Sequence, residues 1–310
     1  MDDFQGKRVF VSGGAGVIGS ILVEKLLDAG AKIFVGDIKP RPKHWPKEVV
    51  YWHGDLNQIT PKELLDFAPE YYFHLAATFQ RSTETPDFWT ENYQHNVRLS
   101  HYLLNILKDC ESLQRIVFAS SYLIYDPLNY LTQMHLPKCF LLSENSPINP
   151  RNLCGVGKLL HERELEFLHT KSSVSARIFR VYGKNSRDII SRWIQSLIKG
   201  EPITVYAKEG SFDFIYADDV AEGLLRLALS SFRGHVNLGR GSSRRIEAVL
   251  LALRKHFPAM KVIEENSAIL YENSEADITL FKQITHWEPE YTLRRGIEEL
   301  VKFYRAQDRA

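Results

Sequence analysis

Arg8-Val-Phe-Val-Ser-Gly-Gly-Ala-Gly-Val-Ile-Gly19 joins a short β-branched run to a helical pattern through glycines at 13, 16 and 19. That spacing suits a pyrophosphate. Gly13 permits a tight turn, Gly16 lets the backbone approach phosphates without a Cβ in the way, and Gly19 lets the following helix pack closely. Val17 and Ile18 then open a helix whose N-terminus faces the anion. The next strand-like run, Ala31-Lys-Ile-Phe-Val-Gly-Asp37, ends in a carboxylate 18 residues after Gly19. Asp37 is placed to accept from the adenosine ribose hydroxyls and to repel a 2′-phosphate, which favours NAD over NADP. Lys39, Arg41 and Lys43 nearby pull the other way.

The chain has 310 residues, enough for one large domain or two unequal ones. With 39 basic against 38 acidic residues, charge gives no reason to propose nucleic acid or an anionic membrane as a partner. Cys110, Cys139 and Cys154 lack metal-type spacing, and no signal peptide or long apolar span is evident, so a reducing cytoplasm is the expected compartment and no metal is expected. Strand-like runs at 8–12, 32–36, 48–53, 71–75, 115–119 and 174–179 alternate with helical patterns at 17–29, 61–67, 87–109 and 153–170. This alternation predicts parallel strands with right-handed helical crossovers. The run Arg115-Ile-Val-Phe-Ala119 is apolar without alternation, as a strand covered on both faces should be.

Several segments then coincide with one pattern: Gly54-Asp55-Leu56, His74-Leu-Ala-Ala77, Asn96-Val97, Ser120-Ser121 with Tyr125, Arg177-Ile-Phe-Arg-Val-Tyr-Gly183, Asp213-Phe-Ile-Tyr-Ala-Asp-Asp-Val220, Asn237-Leu-Gly239 and His286-Trp-Glu-Pro289. The chain resembles the extended short-chain dehydrogenase/reductase family, in its branch of NAD-dependent nucleotide-sugar epimerases and dehydratases, and is similar to UDP-glucose/galactose 4-epimerases. The resemblance implies an α/β fold, a Rossmann-type doubly wound parallel sheet with a smaller α/β C-terminal substrate lobe. Residues 1–182 would form the NAD-binding domain, with a return around 213–240, and 183–310 would be mainly substrate lobe. It further implies that Asp55 and Leu56 flank the adenine, that Ala76 and Ala77 line the dinucleotide groove, and that Asn96 and Ser120 border the cofactor site. Asp55 capping a helix and Asn96 satisfying a buried backbone group are equally open readings.

In that family a serine or threonine, a tyrosine and a lysine act together, the lysine holding the nicotinamide ribose and lowering the phenol's pKa. Ser121 falls on the serine and Lys158 on the lysine, but Cys154 stands where the tyrosine belongs. A thiol reaches roughly 3–4 Å less far from the backbone than a phenol. Two readings stay open: a thiol acid/base activated by Lys158 one helical turn away, or a small apolar helix residue. Tyr122 is the candidate substitute, and a packed aromatic with its hydroxyl satisfied is an equally open reading of it. With Leu123 it occupies the two positions that carry Asp-Glu in the family's dehydratases, so the resemblance favours epimerisation or simple oxidation and reduction over dehydration.

Phe212 replaces an arginine that often meets the nucleotide diphosphate in family members, and Arg187, Arg192, Arg240, Arg244 and Arg294 are alternative sources of charge. The segment 129–143, with Met134, His135 and Cys139, reads as a pocket wall or a surface excursion. Apolar stripes around His95, His101 and His161 suit core and partner alike, and the resemblance implies a homodimer. The resulting expectation is an epimerase acting on a nucleotide-diphosphate sugar through a transient keto sugar with tightly bound NAD. A sugar-nucleotide dehydrogenase, reductase or dehydratase is one rival, and a non-catalytic NAD-binding regulatory protein is another.

Overall fold

The computed structural model describes residues 2–79, 84–134, 138–265 and 270–308. Seven strands form the central sheet: β1 (Arg8–Ser12), β2 (Lys32–Asp37), β3 (Val50–His53), β4 (Tyr71–His74), β5 (Arg115–Ser121), β6 (Ser172–Ile178) and β7 (Gly234–Leu238). Their order is β7-β6-β5-β4-β1-β2-β3. Parallel register joins β1 to β2 and to β4, β2 to β3, and β4 to β5. Strand order therefore reverses between β1 and β4, which is the switch point of a doubly wound Rossmann-type sheet. As its unbroken apolar run predicts, β5 is buried along all but its last residue.

Helices α1 (Val17–Asp28), α2 (Pro61–Phe67), α3 (Pro86–Asn92), α4 (Leu99–Leu107) and α5 (Leu153–Phe167) accompany these strands. Local chemistry sets their starts. Thr60 and Glu63 make a capping box around Pro61 of α2, and the Asn152 side chain accepts from Gly155 N–H at the start of α5. The helical run expected at 87–109 forms as α3, a π-helical stretch Tyr93–Arg98, and α4. Periodicity alone does not distinguish that wider turn. Phe10, Phe34, Tyr72, Leu103, Leu107, Ile116 and Phe118 belong to one buried apolar cluster.

Cα proximity divides the chain into two compact units: Met1–Tyr125, Ile148–Arg177 and Ala221–Val236 in the first, and Asp126–Pro147, Ile178–Val220 and Asn237–Ala310 in the second. The second unit includes α6 (Ile189–Ile198), α8 (Ile246–Arg254), α9 (Thr279–Thr285) and α10 (Leu293–Asp308), while α7 (Ala217–Leu229) spans a unit boundary. Its own core gathers Tyr182, Ile194, Trp193, Leu253 and Leu300. Two acids of the 213–220 motif organise its backbone. Asp213, fully buried, accepts from the amides of Arg240, Gly241 and Ala276 at 2.6, 2.9 and 3.0 Å. Asp219 accepts from those of Glu290 and Tyr291 at 3.0 and 2.8 Å.

Within the first unit the structure buries an ion pair. Glu162 on α5 meets Arg177 on β6 with Nη2···Oε2 at 2.8 Å and Nε···Oε1 at 3.2 Å, and Glu162 also accepts from the Ser120 hydroxyl. Arg177 donates in addition to the Tyr125 hydroxyl at 3.2 Å, which places Tyr125 in the packing. Removing one partner strands the other's charge, so Arg177→Met is expected to destabilise the protein by about 3–5 kcal/mol. The paired change Glu162→Leu with Arg177→Met should recover part of that loss, as read from urea unfolding midpoints.

Candidate functional site

The turn after β1 is shaped for an anion. Gly13 has φ +77°, in the left-handed region, and a Cβ there would lie 2.6 Å from the Ala76 amide nitrogen. A Cβ on Gly19 would lie 2.3 Å from the Gly13 carbonyl oxygen, so the first turn of α1 seats directly on the glycine turn. Gly16 is the N-cap and no side chain caps the helix. The first-turn amides of Val17, Ile18 and Gly19 consequently have no intrahelical acceptor and supply donors for a phosphate.

Asp37, at the end of β2, accepts from Ala15 N–H at 2.8 Å and from Lys39 N–H at 2.9 Å, which ties the glycine turn to the neighbouring strand. Arg41 donates to the carbonyls of Val49, Trp45 and Pro46, so its charge serves its own loop. Lys39 Nζ donates to the Ala15 carbonyl at 3.3 Å. A cavity of about 290 Å³ opens here, and Gly13, Gly16, Asp37, Asp55, Leu56, Ala76 and Ala77 all line it. Its walls also include Thr78, Glu91 and His95, which sequence reading did not single out as cofactor contacts. A glycine turn that any Cβ would fill, an uncapped helix and a ribose-height carboxylate fit the adenosine diphosphate half of NAD.

Two predicted residues have local duties as well. Asp55 caps the short 3-10 turn Leu56–Gln58, accepting from Asn57 N–H at 3.0 Å and from Asn57 Nδ2 at 2.9 Å. Asn96, in the π-helical stretch, accepts from Thr78 N–H at 2.8 Å and donates to Thr78 O at 2.9 Å, pinning the cavity wall after β4. The helix-cap and backbone-satisfying readings are therefore both realised, beside a cavity that Asp55 lines. Below it, His74 bridges Ser12 and Ser100 hydroxyls at 2.7 Å each, and burial holds its pKa well below the ordinary histidine value.

A second cluster forms around the end of β5 and the first two turns of α5. Lys158 is buried, donates from Nζ to the Ala119 carbonyl at 2.7 Å, and sits 4.8 Å from the centre of the Phe118 ring. Burial lowers its pKa, against the opposing pull of Cys154 and Glu162. The Ser121 Oγ accepts from Leu123 N–H at 3.2 Å, which orients the hydroxyl at the strand's end. Cys154 is 5% exposed, and burial raises its thiol pKa despite the neighbouring Lys158 ammonium. Burial and the Lys158 ammonium thus pull the thiol in opposite directions, and burial is the larger influence. Tyr122 is 3% exposed and belongs to the core, not to an open surface.

Two supporting acids escaped sequence reading. Glu162 lies one turn after Lys158 and fixes α5 to β5 and β6; nothing in the sequence sets it apart from the other acids of α5, Glu164 and Glu166. Glu84 accepts from Leu153 N–H with both carboxylate oxygens at 3.0 Å, charging the N-terminus of α5, and no local pattern announces a contact between residues so far apart in the chain. His135 lies outside the described residues. Cys139 is a free thiol, partly buried.

A family model described as the NAD dependent epimerase/dehydratase family matches residues 9–239. UDP-glucuronic acid decarboxylase 5 of Arabidopsis thaliana is 28% identical over 319 residues, 96% of this chain and 89% of the relative. A putative UDP-glucose 4-epimerase of Methanocaldococcus jannaschii is 26% identical, with 97% and 99% covered. Among solved structures, MoeE5 in complex with UDP-glucose and NAD matches with a TM-score of 0.82 at 26% identity, over 98% of this chain and 100% of the other. The Thermus thermophilus UDP-glucose 4-epimerase complex with NAD matches with a TM-score of 0.81 at 25% identity, over 96% and 99%.

Asp37→Asn is expected to weaken NAD binding about 10- to 100-fold, because a charge-assisted contact becomes a neutral one. Isothermal titration with NAD checks it. Gly13→Ala should lose NAD binding altogether, since the Cβ meets backbone that has no room to yield.

Proposed function

The chain belongs to the NAD dependent epimerase/dehydratase family, and we propose that it is a nucleotide-sugar epimerase working through a transient keto sugar with NAD retained through the cycle. The observation that carries this reading is Lys158, a buried ammonium fixed on the Ala119 carbonyl in the same unit as the glycine turn and Asp37. Gly13, Gly16 and the amides of Val17, Ile18 and Gly19 hold the pyrophosphate, and Asp37 takes the adenosine ribose. Asp55, Leu56, Ala76 and Ala77 enclose the adenine side. Asn96 keeps the Thr78 segment in place, and Ser120 is held by Glu162 beneath the reacting end.

When bound, NAD supplies the hydride acceptor and donor. Lys158 binds the nicotinamide ribose hydroxyls and, as a fixed cation, favours negative charge on its neighbours. Ser121 donates its hydroxyl proton to the sugar oxygen, while one of its two lone pairs accepts from Leu123 N–H. Cys154, one turn before Lys158, receives the proton of the sugar hydroxyl as a thiolate and returns it after the keto sugar has turned over. Because burial raises the thiol pKa, this base is scarce at neutral pH.

The relatives are named as decarboxylases of UDP-glucuronic acid and as a putative UDP-glucose 4-epimerase, which keeps decarboxylation of a uronic acid as the neighbouring outcome. Burial of the thiol, which raises its pKa, favours a second reading, in which NAD binds without turnover. Proton NMR of the NAD-loaded protein with UDP-, GDP-, CDP- and dTDP-sugars separates the three. A new stereoisomer supports epimerisation, a pentose product decarboxylation, and unchanged sugars the non-catalytic reading.

The chain offers a face for self-association. Val156, Leu160 and Phe167 are exposed at helical spacing along α5, and Trp89 is exposed on α3, so we place a homodimer contact there. Three free thiols suit a reducing cytoplasm. No helix among the described residues is long and apolar enough to cross a membrane.

Leu160→Asp should convert a dimer to a monomer in analytical ultracentrifugation, and an unchanged sedimentation coefficient contradicts the placement. If Cys154 is the base, turnover rises with pH beyond the ordinary thiol pKa of about 8.5. Cys154→Ser should abolish that rise. Cys154→Tyr, next to the same lysine, should move it to lower pH with faster turnover at pH 7.

A further inference from the structure

The first unit holds another cavity, of about 270 Å³, which shares no lining residue with the one beside the glycine turn. The C-terminal half of α5, strand β6 and the start of β7 enclose it. Sheet faces that carry a helix are ordinarily apolar, yet Ser173, Ser175 and Arg177 follow one another on the same face of β6. Opposite them on α5 stand Glu162 and Glu166, one helical turn apart.

The polar groups divide into spent and unspent. Glu162 is taken up by Arg177 and Ser120. Glu166 pairs with Arg163 at 2.7 Å and lies 3.8 Å from His235 Nδ1. The unspent groups are donors. Ser175 is 4% exposed, lines the cavity, and its hydroxyl has no hydrogen-bond partner among the described residues. The Ser173 hydroxyl and the Arg233 guanidinium are likewise without partners there, and Lys171, also lining the cavity, uses only one N–H, toward the Cys110 carbonyl at 2.6 Å. These groups open on the cavity, so their hydrogen-bonding capacity is left for whatever occupies it.

We infer that this cavity binds a small phosphorylated metabolite. Two hydroxyls, a guanidinium and an ammonium offer several donors and positive charge to an oxygen-rich dianion, and Arg233 presents the planar fork suited to two phosphate oxygens. The volume exceeds what a phosphate alone requires, and Leu165 and Leu168 give the remaining carbon body an apolar wall. Glu162 belongs both to this wall and to the bonds that seat α5 on β5, so an occupant touches the acid behind the Lys158 helix.

The test uses the full chain saturated with NAD, so that phosphate does not report through the nucleotide cavity. Isothermal titration is run with glycerol 3-phosphate, inorganic phosphate and acetate, on the native protein and on Arg233→Ala, an exposed position whose loss leaves the fold intact. The site predicts saturable binding of glycerol 3-phosphate, tighter than phosphate and much tighter than acetate, weakened about tenfold or more in Arg233→Ala. Ser175→Val, with NAD affinity unchanged as the sign of a folded protein, should also weaken it. Absence of saturable binding, equal binding by Arg233→Ala, or acetate binding as tightly as glycerol 3-phosphate overturns the assignment. None of these results depends on whether the protein turns over a nucleotide sugar.

Discussion

Glu162 is buried inside the protein, and a carboxylate removed from water is tolerated there only when its oxygens are bonded. Its partners come from two neighbouring strands: the Ser120 hydroxyl at the end of β5 and the Arg177 guanidinium on β6. Those bonds fix the rotation and height of α5 against the sheet. Lys158, one turn earlier on the same helix, is thereby set over the Phe118 ring with its ammonium on the Ala119 carbonyl. Hydrophobic packing alone would hold the helix close, but it lacks the direction to place one ammonium beside one strand end. The ion pair supplies direction at a cost in desolvation, which is consistent with a position kept for geometry.

The cofactor end of the unit obeys a different constraint. There the backbone itself is the binding surface, and what matters is the absence of side chains. Gly13 and Gly19 leave no space for a Cβ, while Asp37 closes the turn by accepting Ala15 N–H. A family member without a tyrosine at position 154 still retains this half intact. Binding of NAD and the handling of a proton are thus separable in this protein: the first rests on the glycine turn and Asp37, the second on whatever Cys154 does.

Much of this was legible in the sequence because it depends on spacing. The glycine triplet, the acid at the end of the second strand and the apolar run at 115–119 each follow from covalent geometry or from burial, and each forms where expected. The π-helical stretch Tyr93–Arg98 was hidden, since hydrophobic period does not register one widened turn. Glu84 was hidden as well, because its contact with Leu153 is made by tertiary approach. For Cys154 the sequence leaves two readings open, because a lysine one turn away favours a thiolate while the burial that opposes it follows from tertiary packing that spacing does not show.

In the proposed cycle a sugar carbon is oxidised and reduced again on NAD held by this chain. The direct measurement is proton NMR of the nucleotide-sugar product formed in deuterium oxide by the NAD-loaded protein. A hydride that leaves and returns without reaching solvent retains protium at the reacting carbon, and that retention is the predicted result. Deuterium at that carbon, or no new stereoisomer with any sugar while NAD remains bound, contradicts the account.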